Sequence, residues 1–465
     1  MKNAAFFENT KGEHCLYKGG QAGETIRIVA PAYLEEFISI LADHDIDCLW
    51  VMPDTELSRH IAWSDFERIE QNKYRVFYPQ KNGKPLSEKP AFISLRRKSE
   101  QWEREFYLAF PQHGEWSAYD DGKWFLPAPY ALGCTVNYLT KEFGLDVQWG
   151  PGNLGMKVLK RNFAAKKWEI ENLVMTDRIE AALNQSVTRP VWREYGGLAE
   201  CQKRMKYLHG YDKNSQYLGA AQSVYLGNGQ SEHVGPDAFT EKAVGFWKYE
   251  LLDVGESAFD GYDLPCPLST TRPWASTNLL VAARDLGIEF EILEGIIWEN
   301  QPKKYLEDWA KEMRKHRENL SNEVLYPSEI ARENAVGTAK IAANMMMGRL
   351  ATLGMPGSKE LYRPDWNIDI VQQAITNQMY SFRKILRDYA IRPVLVVTDS
   401  WWIISDEPDP ALAIPDILKY KNEQRGYKHI GTVAMTSEII DAFTTRLPEE
   451  INTLLKKEME EGCYA

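Results

Sequence analysis

The stretch Gly210-Tyr211-Asp212-Lys213-Asn214-Ser215-Gln216-Tyr217-Leu218 decides the fold of this 465-residue chain, together with Val394-Leu395-Val396-Val397-Thr398-Asp399-Ser400. Each sets a carboxylate beside an apolar run that is typical of a β-strand. A mixed sheet would bring Asp212 and Asp399 side by side. Two carboxylates in one site repel each other, and bound Mg²⁺ removes that cost. The two stretches therefore predict a pair of metal ligands.

Such a pair suits phosphoryl transfer. Two metal ions about 3.5 to 4 Å apart lower the pKa of an attacking hydroxyl and stabilise the leaving oxygen. Taken alone, an aspartate at a strand end is more often a turn or helix-cap residue. The choice between these interpretations depends on the rest of the sequence.

Composition favours a well-buried protein of two or more domains, since 44% of the residues are hydrophobic and the chain is too long for one ordinary core. No apolar run reaches the ~18 to 20 residues that span a bilayer, and residues 1–20 lack a signal-peptide pattern. We expect a cytoplasmic protein with no membrane partner. Six scattered cysteines without a CxxC pair predict reduced thiols and no zinc site. The net charge of −11 argues against coating nucleic acid through bulk charge, although an acidic body can carry a local basic channel.

The hydrophobic pattern changes along the chain. Residues 1–190 mix strand candidates at 25–29, 48–52, 91–95 and 106–110 with helices at 32–43 and 136–143, which is an α/β or α+β signature. Later strands are expected at 246–252, 289–297, 394–397 and 401–405, and helices at 276–286, 303–320, 327–352 and 368–389. Within helix 327–352, positions four apart are offset by only ~40°. Lys340, Asn344 and Gly348 should therefore lie along one face.

Three motifs in order carry a resemblance to a known family. Residues Asp212 to Leu218 resemble motif A (DxxSLYP) of family B DNA polymerases. The run Lys340-Ile341-Ala342-Ala343-Asn344-Met345-Met346-Met347-Gly348 resembles their motif B (KxxxNSxYG), and Val397-Thr398-Asp399-Ser400 resembles the DTDS of motif C. Ahead of motif A, Tyr195-Gly196-Gly197 resembles the YxGG linker of the protein-primed phage and linear-plasmid branch, one residue shorter. Three motifs in the family's order are hard to obtain by chance.

The resemblance implies a role for each matching residue. Asp212 and Asp399 would bind two Mg²⁺ ions, for which Mn²⁺ is a substitute, and the main-chain carbonyl of Lys213 would lie near one ion. Tyr217 would pack under the deoxyribose. Lys340 would contact the triphosphate, which suits a point charge among phosphate oxygens.

Other assignments are less specific. Asn344 would line the same nucleotide pocket, and Arg332 would be a second phosphate contact, with a plain surface arginine as the equal alternative. The primer and template contacts would be Lys428, Tyr195, Gly196 and Gly197. Trp401-Trp402 would either stack on bases or pack in the core.

The implied architecture is a multidomain α+β and α/β protein, in which an exonuclease-like (RNase H-like) N-terminal domain precedes a polymerase right hand. Its parts would be 1–190 (exonuclease-like, without proofreading), 191–300 (palm with motif A), 301–355 (fingers with motif B), 356–420 (palm with motif C) and 421–465 (a reduced thumb). Proofreading needs a DxE after the first strand, and none follows 25–30. Asp54-Thr55-Glu56 follows a later strand and is more simply a helix N-cap. Leu173-Val174-Met175-Thr176-Asp177 echoes the third exonuclease motif without its tyrosine.

The sequence also departs from the family. Val397 replaces the first aspartate of motif C, and Met345 and Met347 replace the serine and tyrosine of motif B. We therefore expect a compact DNA polymerase of a bacterial, archaeal or phage-infected cell, with primer-template DNA and dNTPs as partners and a priming or terminal protein as a further one. The alternatives are a catalytically silent, polymerase-derived nucleic-acid-binding subunit and a nuclease centred on the N-terminal domain.

Overall fold

The computed structural model describes residues 3–8, 11, 13–18, 24–28, 34–52, 55, 62–66, 74–78, 80–81, 84–85, 92–97, 105–110, 129–147, 151–188, 191–193, 197–213, 215–252, 264, 266–298, 302–352, 361–414 and 426–462. In these residues no helix is both long and apolar enough to cross a membrane.

The strands and helices alternate along the chain. The strands are β1 (Asn3–Glu8), β2 (His14–Lys18), β3 (Glu24–Arg27), β4 (Cys48–Val51), β5 (Tyr74–Phe77), β6 (Gln80–Lys81), β7 (Lys84–Pro85), β8 (Phe92–Arg97), β9 (Glu105–Ala109), β10 (Val191–Arg193), β11 (Tyr207–Lys213), β12 (Glu232–Val234), β13 (Gly245–Leu251), β14 (Trp274–Ser276), β15 (Phe290–Ile297), β16 (Leu395–Val397), β17 (Ser400–Ser405) and β18 (Tyr427–Ala434). The helices are α1 (Leu34–Asp43), α2 (Pro129–Phe143), α3 (Pro151–Lys166), α4 (Asp177–Asn184), α5 (Glu200–Lys203), α6 (Gln216–Ser223), α7 (Thr277–Asp285), α8 (Glu307–Leu320), α9 (Glu329–Leu350), α10 (Pro364–Tyr389), α11 (Pro410–Ala413), α12 (Ser437–Thr445) and α13 (Pro448–Gly462).

Two compact units make up the chain. The first unit comprises Met1–Glu169 and Lys311–Tyr362, and the second comprises Ile170–Ala310 and Arg363–Ala465. The segment assigned to the fingers, 301–355, falls mostly in the first unit. The exonuclease-like, palm, fingers and thumb assignments stay predictions.

A mixed sheet forms the core of the first unit, with the strand order β3-β2-β1-β4-β9-β8-β5. The strands β1, β4 and β9 are parallel, whereas β1, β2 and β3 are antiparallel. The sequence Cys-Leu-Trp-Val of β4 is buried throughout, as expected for a central parallel strand that is covered on both faces.

The position of the first strand corrects the sequence analysis. The predicted strand at 25–29 is β3, at the sheet edge, and the first strand is β1 in the sheet interior. Its two alanines followed by two phenylalanines show no period-two alternation, and only the pairing with β2 and β4 identifies the strand. The strand ends in Phe6-Phe7-Glu8, so a phenylalanine stands where DxE has its aspartate.

Helices α2, α3 and α9 pack together in the first unit. Gly155 of α3 lies directly against α9, where a Cβ would overlap the carbonyl oxygen of Ala342 and approach Met346 Cβ at 2.8 Å. The predicted face of α9 is confirmed, because Lys340, Asn344 and Gly348 are all exposed.

The second unit contains a five-stranded sheet, β10-β16-β17-β11-β18, and a four-stranded sheet, β12-β15-β13-β14. The five-stranded sheet is entirely antiparallel, where a mixed sheet was expected. Strands β16 and β17 are joined by a short hairpin. Such a hairpin can connect two antiparallel strands but not two parallel strands, which is why this pair is antiparallel.

Both faces of the five-stranded sheet are covered by apolar clusters. Trp401 and Tyr211 pack on one face with Phe382 of α10, and Trp402 and Leu208 pack on the other. Both tryptophans are fully buried, so of the two alternatives for Trp401-Trp402 the structure selects core packing. The predicted strands and helices named above otherwise agree with the structure to within a few residues, apart from helix 136–143, which begins seven residues earlier, at Pro129.

Candidate active site

Asp212 and Asp399 come together at one end of the five-stranded sheet. Asp212 lies near the end of β11, where its partner on the neighbouring strand β17 is Ser400, the residue after Asp399. The backbone N–H of Lys213 donates to the carbonyl of Asp399 at 3.3 Å. Both carboxylates are half-buried. The adjacency that the sequence predicted for this pair is therefore observed.

The chain turns sharply beside each aspartate. Thr398 and Asp399 form the turn between β16 and β17, and Thr398 has a φ of +57°. Ser215, ahead of α6, has a φ of +50°. Non-glycine residues seldom adopt this region, and a β-branched threonine there is strained. The Thr398 hydroxyl lies 2.7 Å from the carbonyl oxygen of Val397 and 3.0 Å from Asp399 Oδ1, so its single hydrogen has two acceptors within reach.

Val397 occupies the position of the missing motif C aspartate. It is only 9% exposed and packs in the apolar cluster of Leu395, Trp402 and Ile404. Successive residues of a strand point to opposite faces, so this face of β16 is part of the core. A carboxylate at this position would be buried among apolar side chains.

Lys428 faces Asp212 directly. The two residues are paired across β18 and β11, and both line an open cleft of about 720 Å³. The resemblance implied a primer contact for this lysine, and the structure brings it beside Asp212. The cleft is lined by Asp212, Ser400, Lys428, Ile430, Lys456, Met459 and Glu460.

The side chain of Lys213 points into a different environment. Its ammonium lies 5.7 Å from the ring centroid of Tyr427, and burial lowers the pKa of Lys213 to about 8. Tyr217 is half-buried on α6, the helix that follows β11. Its packing under a sugar stays a prediction.

The linker motif is described only at Gly197. This glycine has a φ of +91°, and a Cβ on it would lie 2.5 Å from Thr444 Oγ1, so both conformation and space require glycine. Tyr195 and Gly196 lie outside the described residues.

The predicted nucleotide contacts belong to the first unit. Lys340 and Asn344 are exposed on α9. Arg332, one turn into the same helix, donates from Nη1 to the carbonyl of Tyr326 at 3.1 Å. That contact favours the structural alternative for Arg332, while the roles of Lys340 and Asn344 stay predictions.

Of the exonuclease-like motifs, the structure describes only part. Asp54 and Glu56 lie outside the described residues. Asp177 is exposed in the first turn of α4, in the second unit, where the Thr176 hydroxyl caps the helix by accepting from Ile179 N–H. Among the residues that the structure describes, no group of three or more His, Cys, Asp or Glu side chains could hold a metal ion.

The donors at the carboxylate pair nevertheless suit Mg²⁺, which binds through one or two carboxylates together with substrate oxygens and water. Asp212, on β11, and Asp399, in the turn before β17, are hard oxygen donors linked through the Lys213 backbone. The residues that motif analysis missed are Lys456, Met459 and Glu460, because no pattern in α13 marks them as neighbours of Asp212.

Comparison with known proteins bears on the fold. No protein-family model matches the chain, and no curated protein matches it in sequence. Among solved structures, Phi29 DNA polymerase complexed with primer-template DNA and incoming nucleotide substrates matches with 12% identity over 93% of this chain and 84% of that chain, at a TM-score of 0.52. The same polymerase complexed with single-stranded DNA gives the same values. A family B DNA polymerase from the hyperthermophilic archaeon Pyrobaculum calidifontis matches with 11% identity over 93% of this chain and 57% of that chain, at a TM-score of 0.40.

The resemblance carried by the three motifs is thus confirmed at the level of the fold, and the chain is a multidomain protein of mixed α and β structure with the fold of Phi29 DNA polymerase.

Proposed function

We propose that the chain is a template-directed DNA polymerase that joins dNTPs to a primer by two-metal phosphoryl transfer. The observation that carries the proposal is the convergence of Asp212 and Asp399 at adjacent strand ends, bonded through Lys213 N–H. The fold supports it, since the matching Phi29 structure holds primer-template DNA and incoming nucleotides.

Asp212, Asp399 and the carbonyl of Lys213 would hold the metal ions. Bound Mg²⁺ or Mn²⁺ would supply charge neutralisation and activation of the attacking hydroxyl. The residues of this chain would position the ligands: the Thr398 hydroxyl would donate to Asp399, and the pairing of β11 with β17 would hold the two aspartates side by side. Lys428, paired with Asp212, is placed for a phosphate of the primer strand.

We also infer that the sheet of the first unit forms an exonuclease-like (RNase H-like) domain, and that this domain has no proofreading activity. The strand order supports the exonuclease-like fold, because the antiparallel strands β3, β2 and β1 are followed by β4 and β9, which run parallel to β1. The absence of DxE from β1 supports the lack of proofreading activity. The proposal also includes initiation of DNA synthesis from a terminal protein, in the replication of a phage, linear plasmid or other mobile element. It places the chain in the cytoplasm.

The test uses labelled dNTPs and Mg²⁺, with and without primer-template, followed by sizing of the products. The wild-type chain should extend the primer, and labelled protein-linked material without primer would identify protein priming. Asp212→Ala and Asp399→Ala should reduce incorporation to background with unchanged circular dichroism. Asp441→Asn, which alters an exposed carboxylate of α12, is the matched control and should incorporate normally. Incorporation that persists in both alanine variants would refute the assignment.

A second candidate is a silent, polymerase-derived nucleic-acid-binding subunit. The burial of Val397 favours it, because the site lacks the first aspartate of motif C. Purified chain that binds primer-template but incorporates nothing with Mg²⁺ or Mn²⁺ would identify this function.

A further inference from the structure

The second unit contains another cavity, of about 550 Å³, whose lining includes no residue of the three motifs. The segment ahead of β13, the junction of β14 with α7, and α10 all contribute to this lining. Cavities of this size are typical of small-molecule sites, where a few polar groups stand in an otherwise apolar wall. The polar groups of the wall therefore indicate what the cavity binds.

Asp369 of α10 is the most unusual of these polar groups. It is only 4% exposed and lies in the lining of the cavity. Among the residues that the structure describes, none donates a hydrogen bond to its carboxyl group or forms an ion pair with it. Burial raises the pKa of Asp369 well above its usual value. Because buried carboxyl groups are as a rule hydrogen-bonded or ion-paired, Asp369 lacks the partner that its position requires.

The nearby guanidinium group does not supply that partner. Arg363 is fully buried and donates from Nε to Asp365 Oδ1 at 2.9 Å and from Nη2 to Asp365 Oδ2. Its Nη1 donates to Asn228 Oδ1 at 3.2 Å. All of its nitrogens are thus bonded elsewhere, and Asp365 lies one turn before Asp369 on the same helix. Two buried carboxyl groups therefore share one buried cation.

Two further acceptors come from the start of α7. Ser276 is 2% exposed, and its hydroxyl has no hydrogen-bond partner. Asn278 donates from its amide nitrogen to Gln373 Oε1 at 2.8 Å, so its amide oxygen is left to accept. Both residues belong to the lining that contains Asp369. A ligand with several N–H donors would satisfy all of these oxygens.

The other charged residues of the lining do not neutralise Asp369. Glu241 pairs with Arg284 at 2.5 Å. Lys242 is exposed, and no described carboxylate lies within 4.0 Å of its ammonium. One negative charge is consequently uncompensated at the buried part of the wall.

The size and chemistry of the cavity favour an organic cation over a metal ion. A bare divalent ion takes several oxygen ligands in a small cage, and the described residues form no group of three or more His, Cys, Asp or Glu side chains that could hold one. The wall also has apolar parts, among them the buried Val244 and the ring of Tyr225. An aliphatic stem with a cationic end matches both kinds of surface.

We propose that this cavity binds an organic cation, a guanidinium or primary ammonium group on an aliphatic stem, whose N–H groups donate to Asp369, Asn278 and Ser276. The site is separate from the residues assigned to phosphoryl transfer, and the proposal does not depend on that assignment.

The test titrates agmatine, which carries both cationic groups on one aliphatic stem, into the full chain and measures heat by isothermal titration calorimetry. The ionic strength is held constant, and divalent metal and dNTP are left out. The wild-type chain should bind agmatine at one site. Butanediol, which has a similar stem without a charge, should not bind.

Isosteric variants locate the site. Asp369→Asn keeps the shape and removes the charge, and should weaken agmatine binding about tenfold to a hundredfold. It should unfold at the same urea concentration as the wild type or a higher one, because it removes an unpaired buried carboxyl group. Ser276→Ala should weaken binding about two- to tenfold. Asp237→Asn, which alters an exposed aspartate of the same unit outside the cavity, is the matched control and should bind as the wild type does.

The outcomes decide the proposal independently of the polymerase activity. A wild-type chain that binds no agmatine up to about 10 mM would overturn it, as would affinity that Asp369→Asn leaves unchanged. Binding by Lys242→Gln but not by the wild type would also overturn it, since the Lys242 ammonium would then be the partner of Asp369. Binding that depends on Asp369 and persists in Asp212→Ala would support the cation site, whether or not the chain incorporates nucleotides.

Discussion

At the scale of single residues, Val397 determines that the candidate site has one motif C carboxylate instead of two. The strand β16 alternates between two apolar clusters, with Val396 in one and Leu395 and Val397 in the other. Asp399 escapes this alternation because it lies in the turn. The fold therefore accommodates the second aspartate of motif C in the turn, whereas a carboxylate at position 397 would be buried in the apolar core.

Val397→Asp should destabilise the second unit without creating a working ligand. An unpaired carboxylate in an apolar cluster costs several kcal/mol or is held protonated, so we expect a loss of about 3 kcal/mol in the free energy of unfolding, measured by urea titration. Val397→Thr has nearly the same shape and should cost only about 1 to 2 kcal/mol. A Val397→Asp variant with wild-type stability and faster nucleotide incorporation would contradict the account.

At the scale of elements, the contact of α3 with α9 shapes the first unit. Because Gly155 has no side chain, the backbone of α3 packs directly against the carbonyl of Ala342 and the side chain of Met346 on α9. The same helix α9 presents Lys340, Asn344 and Gly348 on its exposed side. The close contact therefore determines which face of α9 is exposed.

Gly155→Ala should disrupt this contact, since the added Cβ meets the carbonyl of Ala342, which cannot rotate away. Overpacking of this kind typically costs about 1 to 3 kcal/mol, seen as a lower midpoint of urea unfolding. Gly348→Ala is the matched control, because a Cβ there meets nothing within 4 Å. That variant should be neutral or stabilising by about 0.5 to 1 kcal/mol, as for glycine within a helix. Equal effects of the two substitutions would refute the close-contact interpretation.

At the scale of the whole molecule, the chain has a net charge of −11, and some of its carboxylates are held in local networks with basic groups. In the first unit, Glu312 of α8 pairs with Arg161 of α3 and accepts from Asn162 Nδ2 at 2.7 Å. His316 lies between Glu312 and Glu142 of α2, at 3.2 and 2.8 Å. Three helices are thus joined through buried and half-buried charges.

This network should make the molecule sensitive to acid. The hydrogen bond from His316, with further bonds from Asn162 and Arg161, lowers the pKa of Glu312 from 4.5 to about 2. A carboxyl group whose pKa is lower in the folded state stabilises it fully above pH 4.5, and the stabilisation is lost as the pH falls through about 2.

The comparison of wild type with Glu312→Gln isolates this contribution. At about pH 6 the variant should be less stable by roughly 1 to 3 kcal/mol, and at about pH 2.5 the difference should largely vanish. Urea midpoints at the two pH values measure it. A difference that does not depend on pH would show that Glu312 acts through packing and not through its charge.

The sequence by itself determined the elements around Asp212 and Asp399, the exposed face of α9 and the resemblance to family B polymerases. Each of these depends on local information: apolar runs, turn residues and helical spacing. Tertiary structure alone decided that β1 is the first strand, that Val397 faces the core and that Lys456 lines the cleft of Asp212. These facts depend on pairing and packing between residues far apart in the chain, and no short stretch of sequence encodes such contacts.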